Sequence, residues 1–124
     1  EIFLLPAVPD KWGSGSVKGI RCKGGFTVDL EWEAGKITKA VIYSVLGGNC
    51  RIRTYSPVRL QSHYFQEAIG VNPNPFYFTD NSTKIINGNN NQHLAALDFK
   101  KTYLIDFDTE KGGKYELNIK SKNL

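Results

Sequence analysis

The sequence lacks any long apolar run. The apolar segment at its start, residues 2–5, stops at Pro6 and is far shorter than the roughly 18 residues that a membrane-spanning helix requires. Runs rich in Ala, Leu, Glu and Lys are also scarce, whereas twelve glycines accompany frequent Val, Ile, Thr, Tyr and Phe. We therefore predict no membrane span and a domain built from short strands and turns rather than helices.

Metal ligands and cysteines are few as well. Cys22 and Cys50 can pair only in an oxidising compartment, and they fall on different predicted strands, which disfavours a disulfide. His63 and His93 have no partner at metal-ligand spacing, and Asp98 follows His93 in a stretch without a clear structural pattern. We predict no metal site and no cofactor.

The start of the chain also lacks familiar signals. Glu1 is not preceded by an initiator methionine, and neither a basic leader nor a small-residue cleavage site follows it. We therefore expect a processed protein or an excised fragment, whose compartment cannot be deduced from a leader.

Length and charge fit one ordinary globular domain. A chain of 124 residues has the usual size of a single domain and buries about two-thirds of its unfolded surface.

The net charge of +4 comes from lysines interleaved with acidic residues, whereas nucleic-acid-binding proteins concentrate basic residues on one face. Arg21, Arg51 and Arg53 could form a cationic stripe, but an oligonucleotide platform also needs exposed aromatic residues beside it. We predict no nucleic-acid binding.

The first half of the chain has a clear strand pattern. Phe26, Val28, Leu30 and Trp32 alternate with polar residues, which predicts one buried face and one solvated face. Glycine-containing turns separate this strand from similar neighbours, and together they predict a β-meander. The predicted strands are residues 17–22, 26–32, 37–45 and 50–55.

The second half is less regular. Residues 61–69 are predicted to form a short helical turn, residues 76–78 a short aromatic strand, and Asn87-Gly88 a turn. Alternation resumes at residues 102–108, and the glycines of residues 111–113 predict a terminal hairpin. Many short strands without a long helix predict an all-β fold, an antiparallel β-sandwich with short strands and glycine turns.

Two pairs of carboxylates have a spacing that raises the question of glycosidase chemistry. Asp29 and Glu31, like Asp106 and Asp108, lie two residues apart on predicted strands, so each pair shares one face at about 7 Å. Two carboxylates at such a distance can flank a glycosidic bond. Their alternation with apolar neighbours already explains them as a solvated strand face, and we predict no catalytic residues.

Four aromatic residues could stack on sugar rings. They are Trp12, Tyr43, Tyr64 and Tyr77. Because aromatic residues in such a sequence are more often core or interface anchors, a carbohydrate-binding module is the alternative hypothesis. Residues 81–83 also match the N-glycosylation pattern, which matters only in a eukaryotic secretory pathway.

Residues 1–16 are predicted to be a lead-in segment that contacts another domain. Pro6 and Pro9 rigidify it, and neither can donate a backbone hydrogen bond, so no ladder strand is expected beyond Leu5. Trp12 lies in a loop rich in glycine and serine and needs a surface to pack against. We predict exposed apolar area here in the isolated chain. The candidate docking residues are Phe3, Leu4, Leu5, Pro6, Val8 and Trp12.

Three segments resemble the C-terminal domain of glycoside hydrolase family 95, the α-L-fucosidases. They are EIFLLPAVPDKW (residues 1–12), GSVKGIR (15–21) and GGFTVDLEW (24–32). The resemblance continues loosely through residues 47–51 and returns around residues 106–108. It implies that residues 1–124 are a single non-catalytic structural domain at the C-terminal end of a multidomain α-L-fucosidase-like enzyme.

The same resemblance implies a partner and a location. The partner would be the upstream catalytic domain of the same polypeptide, a helical barrel, with glycans as a second class of partner. The family's Phe-Gln-x-Asp-Gly-Asn type of motif does not occur in this sequence, so no catalytic residue can be transferred. A secreted bacterial enzyme, in the periplasm or outside the cell, is the location that the resemblance implies.

Overall fold

The computed structural model describes residues 1–61, 63–77 and 99–119. Within these ranges the regular structure consists of nine strands and one short 3₁₀ helix. The elements are β1 (Ile2–Phe3), β2 (Gly15–Cys22), β3 (Phe26–Glu33), β4 (Lys36–Ser44), β5 (Gly48–Thr54), β6 (Val58–Leu60), β7 (Gln66–Glu67), the 3₁₀ helix Pro75–Tyr77, β8 (Tyr103–Thr109) and β9 (Lys114–Ile119). No helix among the described residues is long and apolar enough to cross a membrane.

The strands form two sheets. Sheet I has the order β1-β5-β8-β7, and sheet II has the order β2-β3-β4-β9-β6. Strand pairs are antiparallel except that β1 runs parallel to β5. Alternate residues of both sheets face each other and form the buried core, which includes Phe26, Val28, Ile42, Ile52, Phe107 and Leu117. The predicted all-β fold is confirmed.

The predicted meander is confirmed for its first three strands only. β2, β3 and β4 are sequential antiparallel neighbours, but β5 leaves sheet II and pairs with β8 in sheet I. The predicted terminal hairpin is wrong for the same reason, since β8 belongs to sheet I and β9 to sheet II. The β4–β5 and β8–β9 connections, which both contain glycine, are therefore corners between the sheets.

The two corners lie side by side and hydrogen-bond to each other. The amide of Ser44 donates to the carbonyl of Gly113 at 2.9 Å, and the amide of Gly112 donates to the carbonyl of Ser44 at 2.7 Å. The buried hydroxyls of Ser44 and Thr109 share a hydrogen bond of 2.8 Å. Gly47, Gly48 and Gly112 in these corners have positive φ, as glycines of hairpin turns do, so the sequence pattern could not distinguish a corner from a hairpin.

Two shorter predictions are also wrong. The described part of residues 61–69 contains strand β7 rather than a helical turn. Residues 75–77 form a 3₁₀ helix rather than part of an aromatic strand, because the side chain of Asn74 accepts a hydrogen bond from the amide of Phe76 and turns the chain. Asn87-Gly88, His93, Asp98 and residues 81–83 lie outside the described residues.

Candidate functional site

The lead-in segment folds across one end of the sandwich, where the β3–β4 hairpin and the end of β5 lie. We call this the lead-in end. The indole nitrogen of Trp32 donates to the carbonyl of Trp12 at 2.8 Å. The amide of Gly35, in the β3–β4 turn, donates to the carbonyl of Gly13 at 2.9 Å. These bonds fix the segment onto sheet II before β2 begins.

Two residues at this end have left-handed backbone conformations without being glycine. Leu5 has a φ of 52°, directly before Pro6, and Ala34 has a φ of 49° in the β3–β4 turn. Such a conformation costs roughly 1–2 kcal/mol for a residue with a Cβ. Leu5 turns the chain away from β1 and Ala34 reverses it between β3 and β4, so both strained residues shape the lead-in end.

An apolar cavity of about 200 Å³ opens at the lead-in end. Its apolar walls are Leu4, Leu5, Ile37 and Val58, and Lys36 and Lys100 also line it. A wider depression of about 560 Å³ adjoins it and follows the lead-in from residue 5 to 13. The two depressions share Leu5, Gly35, Tyr55 and Lys100 and so form one continuous surface.

The candidate docking residues divide into three groups. Leu4 lies in the chain's own core, because Ile2 and Leu4 alternate with Phe3 and face inward. Leu4 is therefore excluded from the candidate contact surface. Phe3, Leu5 and Val8 are half-buried, whereas Pro6 is exposed and the side chain of Trp12 is 62% exposed. The expectation of exposed apolar area is met most clearly at Trp12.

Aromatic packing extends this surface toward sheet I. The rings of Phe3 and Tyr55 lie 5.2 Å apart, and the ammonium group of Lys100 sits 4.7 Å from the centre of the Tyr55 ring. Tyr55 and Lys100 both line the two depressions. The outer side of β1 and the lead-in end are thus continuous.

Each candidate carboxylate either has a local hydrogen-bond or ion-pair partner or is exposed to solvent. Asp29 accepts a hydrogen bond of 2.8 Å from the amide of Gly19, and Glu31 is exposed. Asp108 accepts one from the side chain of Asn49 at 2.8 Å. Asp106, however, is buried, so its interpretation as part of a solvated face is wrong.

Asp106 is buried because it forms an ion pair, which the sequence pattern does not reveal. Arg51 binds both carboxylate oxygens of Asp106, and its remaining guanidinium nitrogen donates to the carbonyl of Gly70 at 2.7 Å. Gly70, shortly after β7, thus lies against this outer part of sheet I. Asp106 therefore has a structural partner.

The three arginines do not form a free cationic stripe. Arg21 lies on β2 in sheet II, whereas Arg51 and Arg53 lie on β5 in sheet I. Arg53 pairs with Glu1 through two hydrogen bonds of 3.0 Å, and this pairing lowers the pKa of the Glu1 carboxyl. Both arginines of sheet I are thus engaged by carboxylates.

The aromatic residues proposed for sugar stacking are dispersed. Tyr77 packs against Phe26 at 5.9 Å, and its burial raises the pKa of its hydroxyl. Tyr43 lies on sheet II with Lys114 at 5.8 Å from its ring centre, and Tyr64 is exposed on the connection between β6 and β7. Trp12 lies at the lead-in end. These positions do not form one stacking platform.

The residues considered for metal or disulfide chemistry have other contacts. The His63 ring packs edge-on against Tyr115 at 4.8 Å between ring centres. In the described ranges, no group of three or more His, Cys, Asp or Glu side chains could hold a metal ion. Cys22 and Cys50 are free thiols, and burial raises the pKa of Cys50 to about 12.

Comparison with known proteins adds a family match. A family model described as "Glycoside hydrolase family 95, C-terminal domain" matches residues 1–117. "Alpha-L-fucosidase 2" of Arabidopsis thaliana is 42% identical over 45 residues, which are 36% of this chain and 5% of that protein. "Probable alpha-fucosidase A" of Aspergillus oryzae is 37% identical over 51 residues, which are 41% of this chain and 7% of that protein. The chain thus corresponds to a small fraction of these relatives' length.

Proposed function

The chain belongs to the C-terminal domain family of glycoside hydrolase family 95, and on that premise we propose that it is a non-catalytic structural domain. In this proposal it packs against the upstream catalytic domain of an α-L-fucosidase-like enzyme. The observation that supports this most directly is the lead-in end, where Trp12 is 62% exposed and other lead-in residues, from Leu5 to Gly13, line a wide surface depression. Such a surface is suited to contact with another domain.

The contact surface consists of lead-in residues that the chain's own core does not bury. Trp12 is its candidate anchor, because a large aromatic side chain with a polar edge contributes most when another domain desolvates it. The Trp12 carbonyl is already fixed by Trp32, so the backbone of this anchor is pre-organised for binding. Lys36 and Lys100, which line the cavity, suit a partner surface that carries carboxylates.

The partners of the carboxylates support a non-catalytic role for this chain. A glycosidase needs one carboxylic acid to protonate the leaving oxygen and a second carboxylate as base or nucleophile on the same cleft. Asp106 is instead neutralised by Arg51, and Asp29 is bound to the backbone of the neighbouring strand. Hydrolysis in our proposal takes place in the upstream domain.

Activity measurements test this division of labour. We expect the full-length parent to hydrolyse an α-L-fucosyl oligosaccharide and the 124-residue chain to be inactive. Trp12→Ala in the parent should lower the midpoint of thermal unfolding while leaving the KM for substrate unchanged, since the anchor supports packing rather than substrate binding. Tyr64→Ala removes an exposed aromatic residue on another connection and serves as the matched control.

Calorimetry distinguishes the structural domain from the alternative, a carbohydrate-binding module. Titration of fucose or a fucosylated glycan into the 124-residue chain should give no saturable heat in our account. Saturable heat that disappears in Trp12→Ala would favour a binding module, and hydrolysis by the chain alone would overturn the non-catalytic role. A periplasmic or extracellular location stays a prediction from the family resemblance, to be tested by cell fractionation of the parent.

A further inference from the structure

The edge strand β2 has a core-facing side that the described residues of sheet I leave uncovered. Val17 lies opposite Leu30, and Ile20 lies opposite Val28, in the β2–β3 register. Residues directly opposite each other in an antiparallel pair point to the same face of the sheet. Leu30 and Val28 are 6% and 1% exposed, whereas Val17 and Ile20 are 37% and 38% exposed. The apolar face therefore continues onto β2, where it is only partly covered.

The two edge strands differ in length. β1 contains only Ile2–Phe3 at one edge of sheet I, whereas β2 spans Gly15–Cys22 at one edge of sheet II. Tyr77 covers the far end of the β2–β3 hairpin, where its ring contacts Phe26. At the opposite end the Trp32 ring lies close to Gly15, where an added Cβ would come within 2.5 Å of the ring. Between these two aromatic rings lies a strip formed by Val17 and Ile20, which we call the β2 strip.

Tyr77 links the β1 side of sheet I to the β2–β3 side of sheet II, because its hydroxyl contacts Arg51 of β5 and its ring packs against Phe26 of β3. Glu1 is followed directly by β1, whose residues pair with Ile52 and Arg53 of β5. Closer to the start of β5, the amide of Arg51 donates to the Tyr77 hydroxyl at 3.5 Å. The carbonyl of Asn49 accepts a hydrogen bond of 2.8 Å from the Asn74 side chain. Because these backbone groups have partners, the preceding chain cannot extend β1 along β5 without displacing them.

We propose that the residues immediately before Glu1 in the full-length polypeptide lie across the β2 strip and bury Val17 and Ile20. The occupant is an apolar segment of the same polypeptide, since a C-terminal domain has a chain before it that must leave from the β1 edge. This inference rests on the proposed function, because it gives the upstream part a second contact beside the lead-in end. It also explains an edge strand with two core-facing apolar side chains and little cover.

Thiol accessibility tests the inference. Ile20→Cys and Val17→Cys are made singly in a Cys22→Ser background, in the full-length parent and in the 124-residue chain. Cys50 is buried and its thiol pKa is raised to about 12, so it contributes little background reaction. N-ethylmaleimide labelling is compared between native and denatured protein. Val71→Cys, at a side chain that is 92% exposed, is the reactive control, and Trp12→Cys reports on the lead-in end.

The expected result is roughly 100-fold or stronger protection at positions 17 and 20 in the native parent, with ready labelling at both in the 124-residue chain. Rapid labelling at 17 and 20 with protection at position 12 in the parent would overturn this inference and leave the docking role intact. Rapid labelling at all three would contradict both proposals. Protection at 17 and 20 that persists in the 124-residue chain would place the cover within this chain and would also overturn the inference.

Discussion

Arg51 and Asp106 face each other across β5 and β8 and are joined by two parallel hydrogen bonds. Nε donates to Oδ1 at 2.8 Å, and Nη2 donates to Oδ2 at 2.8 Å. Both side chains are largely buried, although they lie on the outer side of sheet I. Nη1 of Arg51 binds the carbonyl of Gly70, so the pair also holds the connection after β7 against the sheet.

Removal of one charge from this pair should be strongly destabilising. In Asp106→Asn the guanidinium of Arg51 stays buried without a counter-charge, and we expect a loss of about 3–5 kcal/mol in the free energy of unfolding. Urea denaturation measures this loss. Asp108→Asn, on the same strand and exposed, is the control and should cost less than about 1 kcal/mol. Equal losses in the two variants would contradict the assignment of Asp106 as a buried partner.

The turn between β3 and β4 should be improved by glycine. Ala34 and Gly35 connect the strands, and both have positive φ, which a two-residue hairpin turn requires. Ala34→Gly removes the Cβ that disfavours this conformation, and we expect a gain of about 0.5–1 kcal/mol. Thermal unfolding detects it. Ala7→Gly, at an exposed residue outside the left-handed region, should give no gain, and a gain of the same size there would refute the strain argument.

The two thiols should differ sharply in reactivity. Burial raises the pKa of both cysteines, and for Cys50 it does so to about 12, so its thiolate is scarce at neutral pH. Titration with Ellman's reagent should therefore modify Cys22 first and Cys50 only when the protein unfolds. Cys22→Ser should abolish the first phase. Simultaneous modification of two thiols in the native protein would be inconsistent with the buried position of Cys50.

The pair between Glu1 and Arg53 predicts a pH dependence. The Arg53 hydrogen bond lowers the pKa of the folded Glu1 carboxyl, so its contribution is present above the unfolded pKa and disappears as pH falls through the folded pKa. The Glu1→Gln variant of the 124-residue chain should therefore be less stable near neutral pH than the unsubstituted chain. The expected loss is less than about 1 kcal/mol, because the pair is partly exposed. At a pH below the folded pKa of Glu1 the difference should vanish. A difference that is constant with pH would rule out this linkage.

The sequence predicted the strands well where one face is buried and the other is solvated. β3 matches its predicted alternation, because the identity of each residue records which side of the sheet it faces. The sequence did not predict which sheet β5 and β9 join. That choice depends on contacts between the two corners, such as the hydrogen bond between Ser44 and Thr109, which join residues far apart in the chain.

The candidate site was predicted in outline for a similar reason. Proline and a tryptophan in a flexible loop indicated the lead-in, since these are local signals. Leu4 was misplaced because its burial depends on the pairing of β1 with β5, and Asp106 was misplaced because Arg51 is its partner on another strand. The uncovered side of β2 had no local signal, since Val17 and Ile20 match a buried strand equally well.

The central claim is that this domain docks onto the upstream part of its own polypeptide through the lead-in end. Isothermal titration calorimetry of the 124-residue chain into the separately produced upstream part tests it most directly. We predict saturable binding with one site per molecule, weakened at least about tenfold by Trp12→Ala because the exposed indole is the anchor. An absence of binding between two folded partners, or equal affinity of the Trp12→Ala variant, would contradict the claim.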